Sequence, residues 1–436
     1  MIHTYRFRRV FLIFSDIAIF YFSLILTLAM RNSFLLKGYS LDIHFEAFSV
    51  VFAVWLIIFY IAGLYEIEHF FSLKELRGRI FNTMFSACAV AVLIFYIVPS
   101  FGITPKTVLL VDTGVTLILI WLFRRTVFIF AKNRTKLKVF FAKNNDETTE
   151  NNEIESFISK LRERPQLGYK VLENPLETNL IVVSEESRKN PRTMENLYTL
   201  ILKGKTVMGF SAFYETVLGK VPIYAIDKGW FLENLIEVNK ETFETFKRFF
   251  DVGLSLVAMV PTILITPFVA LAIKLSSSGA ILFRQRRVGK NGRVFELIKF
   301  RSMTIDAENG AYKGWTKLAS GDKRITAVGK FMRRTRIDEL PQLWNIIKGD
   351  MAIVGPRPER PEFVTELEKQ IPHYAIRQIV KPGITGWGQI YFSTASANDA
   401  LEKLQYDLYY VKNRSLALEV GIILKTIFIL FRREGR

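Results

Sequence analysis

Five long stretches with almost no charged residues limit what this 436-residue chain can fold into. They cover residues 10–30, 47–64, 80–105, 107–123 and 252–273, and within them only Asp16 and Asp112 are charged. A helix needs about 17 to 25 predominantly apolar residues to cross the hydrocarbon core of a bilayer, which matches the length of these stretches. The sequence therefore predicts an integral membrane protein.

Basic residues around the first four stretches predict their orientation. They are concentrated before the first stretch, between the second and third, and after the fourth: Arg6, Arg8, Arg9; Lys74, Arg77, Arg79; Arg124, Arg125, Lys132, Arg134, Lys136, Lys138. The two other loops hold only Arg31, Lys37 and Lys106. The positive-inside rule then places both ends of a four-helix transmembrane domain, residues 1–134, in the cytoplasm. Asp16 and Asp112 fit either a polar pathway or pairing within the bundle, and we favour pairing.

Composition narrows the classes of partner. The chain has 59 Lys and Arg against 41 Asp and Glu, a net charge of +18, which could attract nucleic acid, anionic lipid or phosphorylated substrates. The basic residues flank the apolar stretches and no nucleic-acid recognition motif is present, so we expect membrane lipids and phosphorylated compounds and no nucleic acid. The single cysteine, Cys88, excludes an intrachain disulfide, and four scattered histidines indicate no histidine-based metal site.

The region 135–240 has the composition of a soluble domain. LKVFFA and NLIVVS predict short buried strands, and they alternate with amphipathic helical patterns, which favours a small parallel α/β sheet. The first strand leads into KNNDETTENN, where a dinucleotide-binding domain would have a glycine-rich turn. We therefore predict a Rossmann-like domain without the glycine-rich motif, acting as a structural or regulatory module and not as a nucleotide site.

The fifth apolar stretch has basic residues on both sides. Lys247 and Arg248 precede it, and Lys274, Arg284, Arg286, Arg287 and Lys290 follow it. A single crossing would place one of these clusters outside, against the positive-inside bias. Pro261 and Pro267 can bend the helix, since each removes a backbone donor. We predict a re-entrant helix hairpin at about 246–275, with a fifth membrane span as the alternative.

Residues 333–358, RRTRIDELPQLWNIIKGDMAIVGPRP, bring basic groups and an acidic pair together. Arg333, Arg334, Arg336 and Arg357 surround Asp338 and Glu339 in sequence, a composition that suits phosphate chemistry. Asp338 could instead cap a helix, because acids are favoured in a first turn. The apolar face of that helix would consist of Ile337, Leu340, Leu343 and Ile347.

Three further elements complete the chain. Asn291-Gly292 predicts the turn of an arginine-rich β-hairpin. KPGITGWGQI is a glycine-rich loop that contains Trp387. The last apolar segment, 416–431, is interrupted by Glu419 and Lys425 and fits an interfacial membrane helix and a core helix equally well.

Several of these segments resemble a known family. FRQRRVGKNGRVFELIKFRSM, RIDELPQLWNIIKGDMAIVGPRPERPEF and VKPGITGWGQI are similar to blocks of the bacterial sugar transferases, the monotopic polyprenyl-phosphate phosphoglycosyl transferases, over about 246–436. LKGKTVMGFSAFYETVLGKVP and the four leading helices resemble the long, membrane-anchored exopolysaccharide and O-antigen branch. The resemblance implies a membrane protein of α + α/β class with three domains: 1–134 transmembrane, 135–240 Rossmann-like, and 241–436 catalytic with the re-entrant helix.

The resemblance also implies a reaction. The family transfers a sugar 1-phosphate from a nucleoside diphosphate sugar, usually a UDP-hexose, to undecaprenyl phosphate. The products are undecaprenyl-diphosphate-sugar and UMP, in the first membrane step of exopolysaccharide, capsule or O-antigen synthesis. By motif position, Asp338 would be the nucleophile that forms a covalent aspartyl phosphosugar and Glu339 would bind Mg²⁺. Lys299, Arg333 and Arg357 would hold phosphates.

Each of these roles has an alternative in the sequence. Lys299 could pair with Glu296, and Arg333 could be a solvated helix residue. Weaker candidates for the site are Arg286, Arg287, Arg301, Asp350 and Arg360.

The chain departs from the family pattern at two points. Pro261 follows Val260 and Pro267 follows Thr266, where the family commonly has a Ser-Pro pair, so the position of the bend does not transfer. YFSTASAND stands where short members continue with Asn-Gly-Arg-Asn, so their sugar preference does not transfer either.

A second function class remains open from the sequence. A non-catalytic membrane scaffold with a nucleotide-sensing α/β domain would transfer no sugar phosphate from UDP-sugar to lipid, and it would leave the Asp338-Glu339 pair unexplained. A polytopic lipid-phosphate sugar transferase would need many more spanning helices. The expected location is the bacterial inner membrane, with the α/β and catalytic domains in the cytoplasm. The sugar, the polysaccharide and any homo-oligomer are not determined by these patterns.

Overall fold

The computed structural model describes residues 2–31, 41–65, 73–97, 106–133, 137–143, 148–164, 167–235, 241–304, 324–392 and 399–432. Contacts group the chain into two compact units. The first unit joins Met1–Lys143, Ile154–Val183 and Asn190–Met208, and the second joins Asn144–Glu153, Ser184–Lys189 and Gly209–Arg436. Lys37, Arg134 and Lys136, the predicted boundaries at 134 and 240, and most of YFSTASAND lie outside the described residues.

Four helices open the first unit: α1 (Ile2–Arg31), α2 (Leu41–Ile61), α3 (Leu73–Ile97) and α4 (Lys106–Asn133). Each contributes side chains to one buried apolar cluster that includes Phe20, Trp55, Met84 and Ile120. The ring of Phe20 meets that of Trp55 edge to face, with centroids 5.5 Å apart. The apolar stretches predicted from the sequence therefore form helices that pack on one another.

Both acids in these helices have partners. Arg124 Nη2 lies 2.7 Å from Asp16 Oδ2, and both side chains are completely buried. Ser23 Oγ donates to Asp112 Oδ1 over 2.6 Å. The expectation that each acid pairs within the helices is confirmed. An unpaired charge at this depth would be costly, because no water is present to solvate it.

A small sheet follows, with strands β1 (Leu137–Ala142), β2 (Tyr169–Val171), β3 (Leu180–Val183) and β4 (Thr206–Gly209) in the order β2-β1-β3-β4. Strand β1 runs parallel to β2 and to β3, which confirms the parallel sheet. The helices of this region are α5 (Thr149–Glu163), α6 (Glu185–Lys189) and α7 (Pro191–Leu202). Ile181, Val183 and Leu197 form one of its apolar clusters.

The helix that follows β3 is occupied at its start by a carboxylate of the chain itself. Glu150 accepts hydrogen bonds from the backbone N–H groups of Glu185 (2.7 Å) and Glu186 (3.2 Å). In a dinucleotide-binding domain, amides at helix starts serve the ligand phosphates. The interpretation of this domain as a structural or regulatory module remains a prediction.

The second unit contains the remaining elements. They are α8 (Phe210–Leu218), α9 (Lys228–Leu235), α10 (Glu241–Ser276), β5 (Leu282–Val288), β6 (Val294–Phe300), α11 (Ala327–Thr335), α12 (Gln342–Lys348), β7 (Ala352–Val354), α13 (Pro361–Gln370), β8 (Gly383–Thr385), α14 (Trp387–Tyr391), α15 (Ala400–Asn413) and α16 (Leu416–Arg432).

Strands β5 and β6 form the arginine-rich hairpin. They pair antiparallel from Leu282 opposite Phe300 to Val288 opposite Val294. At the turn, Asn291 has φ 55° and Gly292 has φ 74°, the left-handed backbone that Asn-Gly adopts at low cost. The predicted hairpin and its turn are confirmed.

Helix α10 is 36 residues long and contains both Pro261 and Pro267. It is one of five helices in the described part of the chain that are long and apolar enough to cross a membrane: Val10–Met30, Ile43–Ile61, Leu73–Tyr96, Thr107–Phe130 and Glu241–Ser276. Only a narrow stripe of α10 is buried, including Asp251, Ser255 and Thr262. Most of its apolar surface is therefore exposed, as expected for a helix in contact with lipid.

Strand β8 lies within the glycine-rich segment KPGITGWGQI and pairs parallel with β7. Ala352 N–H donates to Pro382 O (2.8 Å), and Gly355 N–H donates to Thr385 O (2.9 Å). The apolar cluster beneath them includes Ile422 of α16, which is fully buried. Core packing, one of the two alternatives for this last helix, is confirmed for that face. The side chains of Arg432 and Arg433 lie outside the described residues.

Candidate active site

The site is built on the turn between α11 and α12. Thr326 Oγ1 accepts from Gly329 N–H (2.9 Å) and caps the start of α11. The helix ends at Thr335, the next residue, Arg336, has a left-handed φ of 58°, and residues Ile337–Glu339 form one 3-10 turn before α12. This change of direction places Asp338 inside the protein.

Asp338 is buried, with 7% of its surface exposed. Its Oδ1 atom is buried and has no hydrogen-bond partner within the part of the chain that the structure describes. Burial raises the pKa of this carboxyl, as does neighbouring Glu339, while the charges of Lys299 and Arg333 lower it. Oδ1 of Asp338 is thus an acceptor for which the described residues provide no donor.

The interpretation of Asp338 as a helix cap is wrong. Helix α12 begins after Pro341 and has no side-chain cap. Asp338 lies in the preceding 3-10 turn, so its carboxylate does not reach the first free amides of α12.

Glu339 points its carboxylate at a basic neighbour. Arg336 Nη1 donates to Glu339 Oε1 over 2.9 Å. Among the described residues there is no cluster of three or more histidine, cysteine or acidic side chains. Mg²⁺ is commonly held by one or two carboxylates together with substrate phosphates and water. Glu339 and the unpartnered Oδ1 of Asp338 are a donor set of that kind.

Lys299 lies on β6 opposite Phe283, and its Nζ is 4.9 Å from the centre of that ring. Burial lowers the pKa of Lys299 to about 8, and the positive charges of Arg287, Arg333 and Arg357 contribute. No ion pair between Lys299 and Glu296 is found in the described part of the chain. Side chains three residues apart in a strand point to opposite faces, and the carboxylate of Glu296 lies 3.5 Å from Arg284. Lys299 is therefore a half-buried cation near other cations.

Arg333 is anchored on α11. Its Nε donates to Ser302 Oγ over 2.8 Å, and its side chain is half-buried, so the alternative of a solvated helix residue is wrong. A Cβ at Gly329 would lie 1.9 Å from the carbonyl oxygen of Ser302. Only glycine permits this approach, which fixes α11 against the end of β6.

Arg357 lies in the loop after β7, and two other arginines hold the backbone of that loop. Arg377 Nη2 donates to Arg357 O (2.9 Å), and Arg287 Nη1 donates to Pro358 O (3.0 Å). The charge of Arg357 contributes to the lowered pKa of Lys299, so the two cations are close enough to interact. The loop that carries Arg357 is therefore held by side chains from two other elements.

The structure brings most of the predicted site residues together. Lys299, Arg333 and Asp338 interact electrostatically, Glu339 adjoins Asp338, and Arg357 is close to Lys299. Pro261 and Pro267 lie within α10 and are not part of this group. Clustered cations beside one unpartnered carboxylate can bind the phosphates of an anionic substrate and offer an oxygen nucleophile.

Parts of the chain are similar to known proteins. The family model described as "Bacterial sugar transferase" matches residues 242–433. The UDP-N-acetylgalactosamine-undecaprenyl-phosphate N-acetylgalactosaminephosphotransferase of Aeromonas hydrophila is 45% identical over 185 residues, 42% of either chain. The UDP-galactose-lipid carrier transferase of Erwinia amylovora is 30% identical over 302 residues, 64% of this chain and 59% of that protein. In both cases the match spans less than two thirds of the relative.

A shorter relative decides the family. The exopolysaccharide production protein PSS of Rhizobium leguminosarum bv. phaseoli is 38% identical over 187 residues, which are 42% of this chain and 92% of that protein. This chain belongs to the bacterial sugar transferase family. The family region, 242–433, contains α10, the arginine-rich hairpin and the Asp338 turn.

Sequence reasoning missed two positioning residues of this sugar transferase and undervalued a third. Ser302 and Arg377 were not singled out, and Arg287 was only a weak candidate. Arg377 is separated by 20 residues from the carbonyl it holds, so no local pattern could have revealed the contact. Arg287 had a signal, its place in a guanidinium-rich strand, but four neighbouring basic residues shared it.

Proposed function

We propose that this sugar transferase is an undecaprenyl-phosphate sugar phosphotransferase. It transfers a sugar 1-phosphate from a nucleoside diphosphate sugar, a UDP-hexose, to undecaprenyl phosphate and releases UMP. The reaction would be the first membrane step of exopolysaccharide, capsule or O-antigen synthesis in the bacterial inner membrane. The names of the relatives support this reaction, since they include UDP-sugar and undecaprenyl-phosphate sugar phosphotransferases.

One observation carries the proposal: a buried oxygen of Asp338 has no hydrogen-bond partner among the described residues, and Lys299 and Arg333 are within electrostatic range of this carboxylate. In the first step, an oxygen of Asp338 attacks the phosphorus next to the sugar. The bond from that phosphorus to the bridging oxygen breaks, and UMP leaves with the electron pair. The product is a covalent aspartyl phosphosugar, an acyl phosphate that remains reactive.

The second step uses the same carboxylate as the leaving group. A phosphate oxygen of undecaprenyl phosphate attacks the aspartyl phosphosugar at phosphorus, and the bond to Asp338 breaks. Undecaprenyl-diphosphate-sugar forms and the carboxylate is restored. Lys299, Arg333 and Arg357 would hold the phosphate oxygens in both steps, because charge accumulates there in the transition state.

The acidic pair also fits a divalent cation. Glu339 would hold Mg²⁺ together with substrate phosphates, and Arg336 would share its carboxylate with the ion. When bound, Mg²⁺ would neutralise phosphate oxygens and ease the departure of the nucleotide.

Helix α10 would be the re-entrant element. Its early residue Arg248 donates to the carbonyl of Ile346, while Ile273 near its other end packs with Phe300. The residues that these two parts of α10 contact, Ile346 and Phe300, are close to each other. Ile298 N–H of β6 donates to Asn345 Oδ1, and these residues lie within two positions of Phe300 and Ile346. A straight helix would separate positions 248 and 273 by about 37 Å. A bend near Pro261 and Pro267 would let both ends remain on the same cytoplasmic unit.

The other parts of the chain would support this centre. α1 to α4 would form a four-helix transmembrane bundle, residues 1–134, with both ends in the cytoplasm. Residues 135–240 would form the cytoplasmic Rossmann-like domain and 241–436 the catalytic domain.

The proposed hairpin of α10 is tested by labelling an engineered cysteine after Ser276 with a membrane-impermeant thiol reagent on intact cells. Labelling from outside would contradict the hairpin.

The reaction is tested with the purified full chain. UMP release should be measured for a panel of UDP-sugars with undecaprenyl phosphate and Mg²⁺, and again without undecaprenyl phosphate. We expect continuous turnover with one donor, and a single burst of UMP equal to the enzyme concentration when the acceptor is omitted. Absence of sugar phosphate transfer from every donor would favour the non-catalytic scaffold.

A further inference from the structure

A cavity lies beside the first turns of α10. It has a volume of about 480 Å³, and its lining includes Arg248, Phe249, Val252, Lys381 and Tyr410. Its lining residues, as the structure describes them, include none of the side chains assigned above to the Asp338 site. The cavity therefore needs an explanation separate from the transfer reaction.

The charges around this cavity are not balanced. Four basic side chains line it, Lys247, Arg248, Lys381 and Arg414, against the two acids Glu244 and Asp251. Both acids are already engaged, since Arg414 pairs with Glu244 and Lys247 lies 3.6 Å from Asp251 and 2.5 Å from Glu419. Arg248 and Lys381 have no carboxylate within ion-pair distance in the described ranges.

These two remaining cations converge on one point. A Cβ at Gly349 would lie 3.5 Å from Arg248 Nη2 and 3.7 Å from Lys381 Nζ. Arg248 is fixed there by the carbonyls of Ile346 and Ile347, each 2.6 Å away. Burial lowers the pKa of Lys381, and the charges of Arg248 and Lys290 lower it further. An anion between them would relieve this repulsion.

The cavity adjoins an apolar surface that suits lipid. Phe249 lines it and is 75% exposed, and Phe246 and Val257 of the same helix are 60% and 69% exposed. Helix α10 is long and apolar enough to enter a membrane. A phosphate held in the cavity by Arg248 and Lys381 would therefore have the exposed apolar side chain of Phe249 in the same lining.

We propose that this cavity binds the phosphate headgroup of an anionic glycerophospholipid. Arg248 and Lys381 hold the phosphate, and the acyl chains lie along Phe249 and Val252 of α10. Basic pockets at the cytoplasmic side of membrane helices recognise anionic headgroups in this way. The bound lipid fixes the start of α10 at the membrane surface. The inference requires α10 to lie in the membrane, but it does not require the proposed transferase activity.

The test measures lipid binding and not activity. The full chain in detergent is titrated with fluorescent phosphatidylglycerol and with phosphatidylcholine of identical acyl chains. Wild type should prefer phosphatidylglycerol, and Lys381→Gln should weaken its binding about fivefold, the effect of one basic residue at a membrane surface. Lys381→Arg should restore the binding. Lys369→Gln, which removes the same charge from an exposed position of α13, should leave it unchanged.

Competition identifies the source of the phosphate. Inorganic phosphate at millimolar concentration should not displace the phosphatidylglycerol, and equimolar undecaprenyl phosphate should not either. Displacement by the first would reveal a soluble-anion site, and displacement by the second would make the cavity part of the acceptor site. Either result, or equal binding of the two phospholipids, would overturn the proposal.

Discussion

Two buried aspartates in the same unit, Asp338 and Asp407, differ in what surrounds them. Asp407 is bonded to Arg377 at 2.8 Å, and Arg377 also donates to Tyr374 Oη over 2.6 Å and to Arg357 O. Asp338 has cations within electrostatic range, yet its Oδ1 has no hydrogen-bond partner among the described residues. Burial raises the pKa of both carboxyls. Burial and its effect on the pKa therefore do not distinguish the two aspartates.

The two aspartates differ in whether the described residues bond to their carboxylate oxygens. The guanidinium of Arg377 occupies the carboxylate of Asp407 and fixes the loop of Arg357. The cations near Asp338 are held by other groups, as Arg333 is by Ser302. In the described residues, Asp338 therefore keeps one carboxylate oxygen without a hydrogen-bond partner, whereas Asp407 is paired.

The largest effect on UMP release is expected from Asp338→Asn. This change keeps the size of the side chain and removes the anionic nucleophile, so UMP release should fall by at least about 10³-fold. The thermal midpoint should stay equal or rise, because a buried carboxylate with an unsatisfied oxygen is lost. Assays of UMP release and thermal unfolding in the same detergent check both. Undiminished turnover would rule out the covalent scheme.

Asp407→Asn should show the opposite pattern. Removing this carboxylate leaves Arg377 buried without its counter-ion, and the unfolding free energy should fall by about 3 kcal/mol. Thermal unfolding of the purified protein measures the effect. Asp350→Asn is the matched control: Asp350 pairs with the exposed Lys348 at 3.3 Å, and such a surface pair contributes less than about 1 kcal/mol. Equal losses in the two variants would remove the proposed difference between the aspartates.

Glu339→Gln tests whether Glu339, the second acid in the turn, is a ligand of Mg²⁺. It should raise the Mg²⁺ concentration for half-maximal rate by about tenfold or more, a range seen even for groups that only orient a metal ligand. Titration of the UMP release rate with Mg²⁺ measures this, and Glu362→Gln at the exposed start of α13 is the control. Unchanged metal dependence would argue against Glu339 as a ligand.

The pH dependence of the transfer reaction should report the protonation of Lys299 and Asp338. Lys299 must be protonated to bind phosphate, and its pKa is lowered to about 8. Above that pH, kcat/KM for the UDP-sugar should fall about tenfold per pH unit. Asp338 must be ionised and its pKa is raised above 3.8, so the acid limb should lie above that value. Lys299→Arg should remove the alkaline limb alone, since arginine stays charged. An alkaline limb that persists in this variant would assign it to another group.

Local chemistry was enough for much of the fold. The apolar stretches became helices because their length and composition leave few other solutions, and Asn291-Gly292 set the hairpin turn because it accepts a left-handed backbone. The candidate residues Asp338, Glu339, Lys299, Arg333 and Arg357 came from motif resemblance. Their roles remain predictions, although the structure brings them near one another.

The sequence by itself therefore determined the membrane helices, the small parallel sheet, the hairpin and a set of candidate residues, because each depends on local pattern. Only the tertiary structure decided that Asp338 is no helix cap, that Glu296 does not neutralise Lys299, and that Arg287 and Arg377 hold the loop of Arg357. The physical reason is that a charge is satisfied or left open by side chains far away in the chain. Composition and spacing carry no record of those contacts.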